Sequence, residues 1–202
     1  MKSPQTWQKA ETVFKKNGGM LRTSRAIALG VHPRVLYDLR DAGRLQEVSR
    51  GLYRLASLPD LGNRDLTTVA ARVPQGIICL ISALAFHEIT TQIPHQVDVA
   101  LPRGTKQPRL AFPPIRVFRF SAPMYKAGIE IHRVDGIEVR VYSVAKTIAD
   151  CFRFRNRIGI DVAVEALKLY RARKKSSMRE LIEHARCCRV ERVMMPYLEA
   201  LQ

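Results

Sequence analysis

Apolar positions along the first 58 residues recur at helical spacing, and two short strand-like runs about a turn follow. Trp7, Ala10, Val13 and Phe14 share one face of a helix predicted over Thr6 to Lys16, and Asn17-Gly18-Gly19 ends it. Thr23 is placed to cap a short helix through Leu29, Gly30-Val31 turns the chain, and His32-Pro33 opens a third helix to about Ala42. On that helix Val35, Leu36, Leu39 and Ala42 fall on one face, with Arg34, Tyr37, Arg40 and Arg44 on the other. Leu45 to Ser49 and Leu52 to Leu55 then predict two short strands about an Arg50-Gly51 turn. Three helices and a basic hairpin describe a winged helix-turn-helix.

The polar, turn-prone run Leu58-Pro59-Asp60-Leu61-Gly62-Asn63 predicts a linker over residues 59–66, between a first domain at 1–58 and a second at 67–202. Beyond it a helix is predicted from Asp65 to Val73, and the apolar run from Ile77 to Ala85 passes from strand to helix. Strands are predicted at Gln96 to Leu101, Ile115 to Phe120, Ile129 to Val134 and Ile137 to Tyr142. Asp135-Gly136 between the last two suits a type I′ hairpin. From Ser143 the pattern is helical: Ser143 to Asn156, Asp161 to Arg173, Ser177 to Cys188 and Val190 to Leu201, the third begun by a Ser177…Glu180 capping box. The fold class expected is α+β, an N-terminal winged helix-turn-helix followed by a mixed α+β C-terminal domain.

Charge changes the picture more than composition does. The chain has 202 residues and a formal net charge of +16, and residues 1–58 hold 11 Lys+Arg against 4 Asp+Glu, about twice the charge density of the rest. Such an excess favours a polyanionic partner, with nucleic acid the first candidate. The opening Met1-Lys2-Ser3-Pro4 is mixed and polar, unlike a signal peptide, and the run Ile77 to Phe86 falls well short of a spanning helix, so a cytoplasmic protein with no membrane partner is expected.

Arg34, near the start of the third helix, is the candidate for reading bases, with Tyr37, Arg40 and Arg44 beside it. Thr23 and Ser24 are candidates for phosphate contacts, and Arg50 and Arg54 for contacts along the DNA backbone or minor groove. In the second domain Lys146, Asp150, Arg153 and Arg157 share a helix face, as an exposed salt-bridged surface or a docking surface. Lys168, Arg171, Arg173, Lys174 and Lys175 place charge at the end of the next helix. Asp98, Glu138 and Lys146 lack the clustering of a metal nuclease, Cys79, Cys151, Cys187 and Cys188 lack metal-ligand spacing, and His87 beside a buried run suits a structural histidine. No enzyme, metal or cofactor is expected.

The blocks Gly30-Val31 and Arg50-Gly51-Leu52-Tyr53 in the first domain resemble the AbiEi family, the antitoxin and repressor components of type IV abortive-infection toxin–antitoxin systems. So do Ser82-Ala83-Leu84-Ala85-Phe86-His87, Val99 to Gly104, and Val144 to Asp150 with Arg155-Asn156-Arg157 in the second. The resemblance implies a first domain that binds inverted repeats of operator DNA and represses its own operon. It implies a second domain that counters a nucleotidyltransferase-like toxin, directly or indirectly, with Lys146, Asp150, Arg153 and Arg157 as candidate surface residues. The alternative is a solitary winged-helix regulator whose second domain binds a ligand or protein.

Overall fold

The computed structural model describes residues 4–59, 61–174 and 176–201. Asp60 of the expected linker and Lys175 of the basic helix end lie outside them. The architecture is mixed α+β, and contacts divide the chain into two compact units, one of residues up to Pro74 together with Arg133–Val139, the other of Gln75–His132 and residues from Arg140 on. That division differs from the expected borders at 58 and 67, because a helix from Arg64 groups with the first unit.

In the first unit, α1 (Pro4–Lys16) buries Ala10 and Phe14 and ends where the Asn17 amide donates to Val13 O and Gly19 N–H to Phe14 O. Next come β1 (Met20–Arg22), α2 (Thr23–Ala28), α3 (Pro33–Asp41), β2 (Leu45–Ser49), β3 (Leu52–Leu55) and α4 (Arg64–Arg72). The strands form an antiparallel sheet in the order β1-β3-β2. Strand β1, absent from the periodicity, is three residues long and pairs Met20 with Arg54 and Leu21 with Tyr53. Helix α3 starts as its sequence predicts, with Pro33 in the first turn and the His32 ring accepting the Arg34 N–H at 3.2 Å. Its buried face is Val35, Leu36 and Leu39, while Ala42, expected on that face, is exposed just past the helix end. These three side chains pack with Phe14, Leu21, Val31, Leu45 and Leu55, each burial stabilising the unit by about 1.5–3 kcal/mol. Thr23 does not cap α2: Arg22 holds the cap position, and the Thr23 hydroxyl donates instead to Gly51 O.

The tip 133–139 belongs to this unit through close contacts. The Asp135 carboxylate accepts the Gly62 and Asn63 N–H groups at 3.2 Å, and Gly18 and Gly136, both at positive φ, approach so closely that a Cβ on Gly18 would lie 2.3 Å from Gly136 O. Asp135 (φ 50°) and Gly136 (φ 81°) both take left-handed backbone, as a type I′ turn requires.

The second unit contains β4 (Ile77–Ile78), α5 (Leu80–Phe86), β5 (Val97–Pro102), β6 (Ile115–Phe120), α6 (Ala122–Lys126), β7 (Ile129–Val134), β8 (Ile137–Tyr142), α7 (Val144–Arg153), α8 (Arg155–Ile158), α9 (Ile160–Arg171), α10 (Met178–Cys187) and α11 (Glu191–Ala200), with the tip of β7–β8 assigned as above. Its sheet runs β6-β5-β4-β8-β7, β4 lying antiparallel to β5 and parallel to β8. Helix α7 is the centre: every residue from Ala145 to Phe152 is buried, against α5, α9 and α10. The enclosure takes in the polar Lys146, Thr147 and Asp150 as well as the apolar positions. The helix expected from Ser143 to Asn156 breaks at Phe154, and Arg155 starts a separate turn. Only half of the capping box forms: Ser177 Oγ accepts the Glu180 N–H at 3.2 Å, but the Ser177 N–H donates to the Tyr170 hydroxyl.

Candidate nucleic-acid interface

Helix α3 turns its buried face toward the core of the first unit and leaves its basic face free. Arg34 is exposed in the first turn, and among the described residues its guanidinium has no hydrogen bond or ion pair. Tyr37 is 46% exposed, one turn on, with the Arg40 guanidinium over its ring at 5.2 Å. Arg40 also pairs with Asp41 at 2.8 Å, and that carboxylate raises its pKa further, so it stays charged at any working pH. Arg44 is tied down differently, bonded to Glu11 at 2.7 Å and stacked over Trp7 at 6.0 Å. Two of its nitrogens are thereby engaged by the Glu11 carboxylate on α1.

Ser24 is exposed at the start of α2 and Thr23 is half-buried, its hydroxyl engaged by Gly51. Arg25, exposed on the same helix, is a further cation that sequence reasoning passed over. Arg50 is exposed at the β2–β3 turn. Arg54 corrects an expectation. It is 3% exposed on β3, its guanidinium donating to Leu58 O, Pro59 O and Gln46 Oε1, so it ties the hairpin to the following chain and does not face solvent.

The hairpin is held by groups that no sequence pattern marked. Arg72 on α4 donates to Arg50 O at 2.7 Å and Arg64 to Val48 O at 3.0 Å, while Gly51 N–H reaches Glu47 Oε1 and Gly51 O receives Thr23. Main-chain acceptors leave no signature in a sequence, which is why the sequence marks this segment only as a helix.

In the second unit the shared face of α7 is not a surface. Lys146 and Asp150 are fully buried, the ammonium 2.5 Å from both carboxylate oxygens and over the Tyr142 ring at 4.2 Å, with Cys188 Sγ donating to Asp150. Burial pushes the Asp150 carboxyl up, and the Lys146 charge opposes that shift. Both residues are therefore core groups, unavailable to a partner. Arg153 and Arg157 are exposed, the latter over Phe118 at 4.3 Å. Asp98, also buried, is bonded through both oxygens to Arg116, and His87 Nε2 bonds Tyr142 O, a structural role. Arg171 and Arg173 donate to the backbone at Leu198, His87 and Glu88, so the end of α9 braces the unit. Among the described residues no three His, Cys, Asp or Glu side chains cluster to hold a metal, and no helix is long and apolar enough to cross a membrane.

Compared with known proteins, residues 8–56 match a family described as "Transcriptional regulator, AbiEi antitoxin". No curated protein matches the chain. Among solved structures the chain is similar to the RV2827C protein from Mycobacterium tuberculosis, at TM-score 0.53 and 13% identity, covering 100% of this chain and 83% of that one. At that identity the likeness concerns the fold.

Proposed function

We propose, from an AbiEi-like segment at residues 8–56, that the first unit is a winged helix-turn-helix that binds operator DNA and represses its own operon. Helices α2 and α3 are the helix-turn-helix pair and the β2–β3 hairpin is the wing. The observation that carries the reading is α3, with Val35, Leu36 and Leu39 buried and Arg34 and Tyr37 free on the opposite face. Arg34 reads a base edge; Tyr37 and Arg40 border it; Ser24, Arg44 and Arg50 contact phosphates, while Thr23, both of its donors bound to Gly51 O, steadies the wing. The partner is double-stranded DNA carrying inverted repeats, bound by two copies on two half-sites.

The second unit, on the same reading, counters a nucleotidyltransferase-like toxin through binding and not catalysis, with Arg153 and Arg157 as its exposed candidates. The protein acts in the cytoplasm, as an antitoxin of a type IV abortive-infection system.

The test is affinity for DNA upstream of its own gene against a scrambled duplex at several salt concentrations. A preference of about a thousandfold or more is expected. Arg34→Ala costs roughly 1–3 kcal/mol on the operator and relaxes preference, whereas Arg50→Ala weakens both duplexes alike. Equal, steeply salt-dependent binding to both duplexes would leave only the attraction of a +16 protein for any polyanion and would end the repressor reading.

A further inference from the structure

A cavity of about 210 Å³ in the second unit is lined by Arg103, Arg153 and Arg189, with Ser121, Cys187 and Cys188 among its other walls. Three different elements supply the cations: Arg103 follows β5, Arg153 closes α7, and Arg189 follows α10 in left-handed backbone at φ 57°. All three are exposed, and among the described residues none of their guanidinium groups has a hydrogen bond or ion pair. No carboxylate lines the cavity. Several other arginines of this unit are paired with carboxylates: Arg116 with Asp98, Arg179 with Glu183, Arg186 with Glu191. Three unpaired guanidinium groups around one concavity repel one another, a cost that an anion removes.

We propose that this cavity binds a phosphate group, either free or at the end of a nucleotide. Charge, shape and size each point that way. A carboxylate offers two oxygens and is satisfied by one bidentate arginine, whereas a tetrahedral phosphate dianion presents oxygens in several directions and suits guanidinium groups supplied by three elements around one cavity. The Ser121 hydroxyl, which caps no helix N–H, adds a neutral donor. The volume lies below the roughly 300 Å³ at which pockets begin to enclose a whole drug-sized molecule, so the phosphate group enters and any nucleoside attached to it stays outside. One wall is tied to the core, because Cys188 donates its thiol to Asp150, which in turn accepts from Lys146. The site needs neither DNA nor a toxin, so it stands or falls apart from the repressor reading.

Calorimetric titration of the full chain with inorganic phosphate, diphosphate and ATP, at fixed ionic strength, tests this. Saturable one-to-one binding is expected, weakened about tenfold or more by Arg153→Gln, Arg103→Gln or Arg189→Asn and unchanged by Arg179→Gln, which alters an exposed arginine outside the cavity. Binding of all three anions alike identifies the free phosphate group as the ligand; binding of ATP alone identifies the nucleotide-borne one. A second readout uses Cys187, which lines the cavity and is partly exposed while the other three thiols are buried. Saturating phosphate slows its alkylation by neutral iodoacetamide, and Arg153→Gln removes that protection. No saturable binding of any of the three anions, or equal weakening by Arg179→Gln and the cavity variants, overturns the proposal.

Discussion

Lys146 and Asp150 are spaced i and i+4, which on a wet helix surface is worth a few tenths of a kcal/mol. In the core of the second unit the same pair behaves differently, because each charge has lost its water and depends on the other. Lys146→Met should therefore cost about 3–5 kcal/mol by urea unfolding, since it strands a buried carboxylate, and the double change Lys146→Met with Asp150→Leu should recover most of it. Equal losses in the single and double variants would show that the two charges are not coupled. Burial also lowers the pKa values of His87 and His184 from 6.5. Unfolded imidazoles take up protons below that value while the buried ones resist, so stability falls as pH drops from 7.5 to 5.5. Buried Asp98 and Asp150, with pKa values raised, act in the opposite sense, so the histidine share is read by difference: His87→Gln should flatten the fall. A profile identical to that of the parent protein would contradict it. The identities of Lys146 and Asp150 were visible in the sequence, but their burial was not, because a charged i, i+4 pair carries no mark of the α5, α9 and α10 that enclose it.

At the scale of elements, most helices and strands were legible from spacing alone, down to the Asp135-Gly136 turn. The misses have local causes. Strand β1 is too short to show a period, and α7 and α8 part at Phe154 without a glycine or proline to announce it. The β2–β3 hairpin was legible as a turn, but its support was not, for Arg72 reaches a carbonyl far back in the chain. Arg72→Ala removes one such bond, worth about 1 kcal/mol. Amides of Gly51 and Leu52 should exchange with solvent several-fold faster while those of α1 are unchanged. Uniform acceleration across the first unit would mean that Arg72 supports the whole unit and not the hairpin.

For the whole molecule, composition marked a bend of the chain at Leu58-Pro59 and not a border between compact units. Turn residues report local geometry, whereas a border depends on which distant segments touch. Because α4 carries the arginines that hold the hairpin, a fragment of residues 1–74 should unfold at higher urea than one of residues 1–58, as followed by helical circular dichroism. Equal midpoints would show that α4 adds nothing. Residues 133–139 set a further condition. The chain passes between its two units at 74–75, at 132–133 and at 139–140, so neither is a single stretch of sequence. Recombination with a relative by one crossover, at any point, would separate Asp135 and Gly136 from the Gly18 and Gly62 regions they were selected with, or else divide one unit internally. A chimera that exchanges the front half therefore demands a matching hairpin tip in the back half.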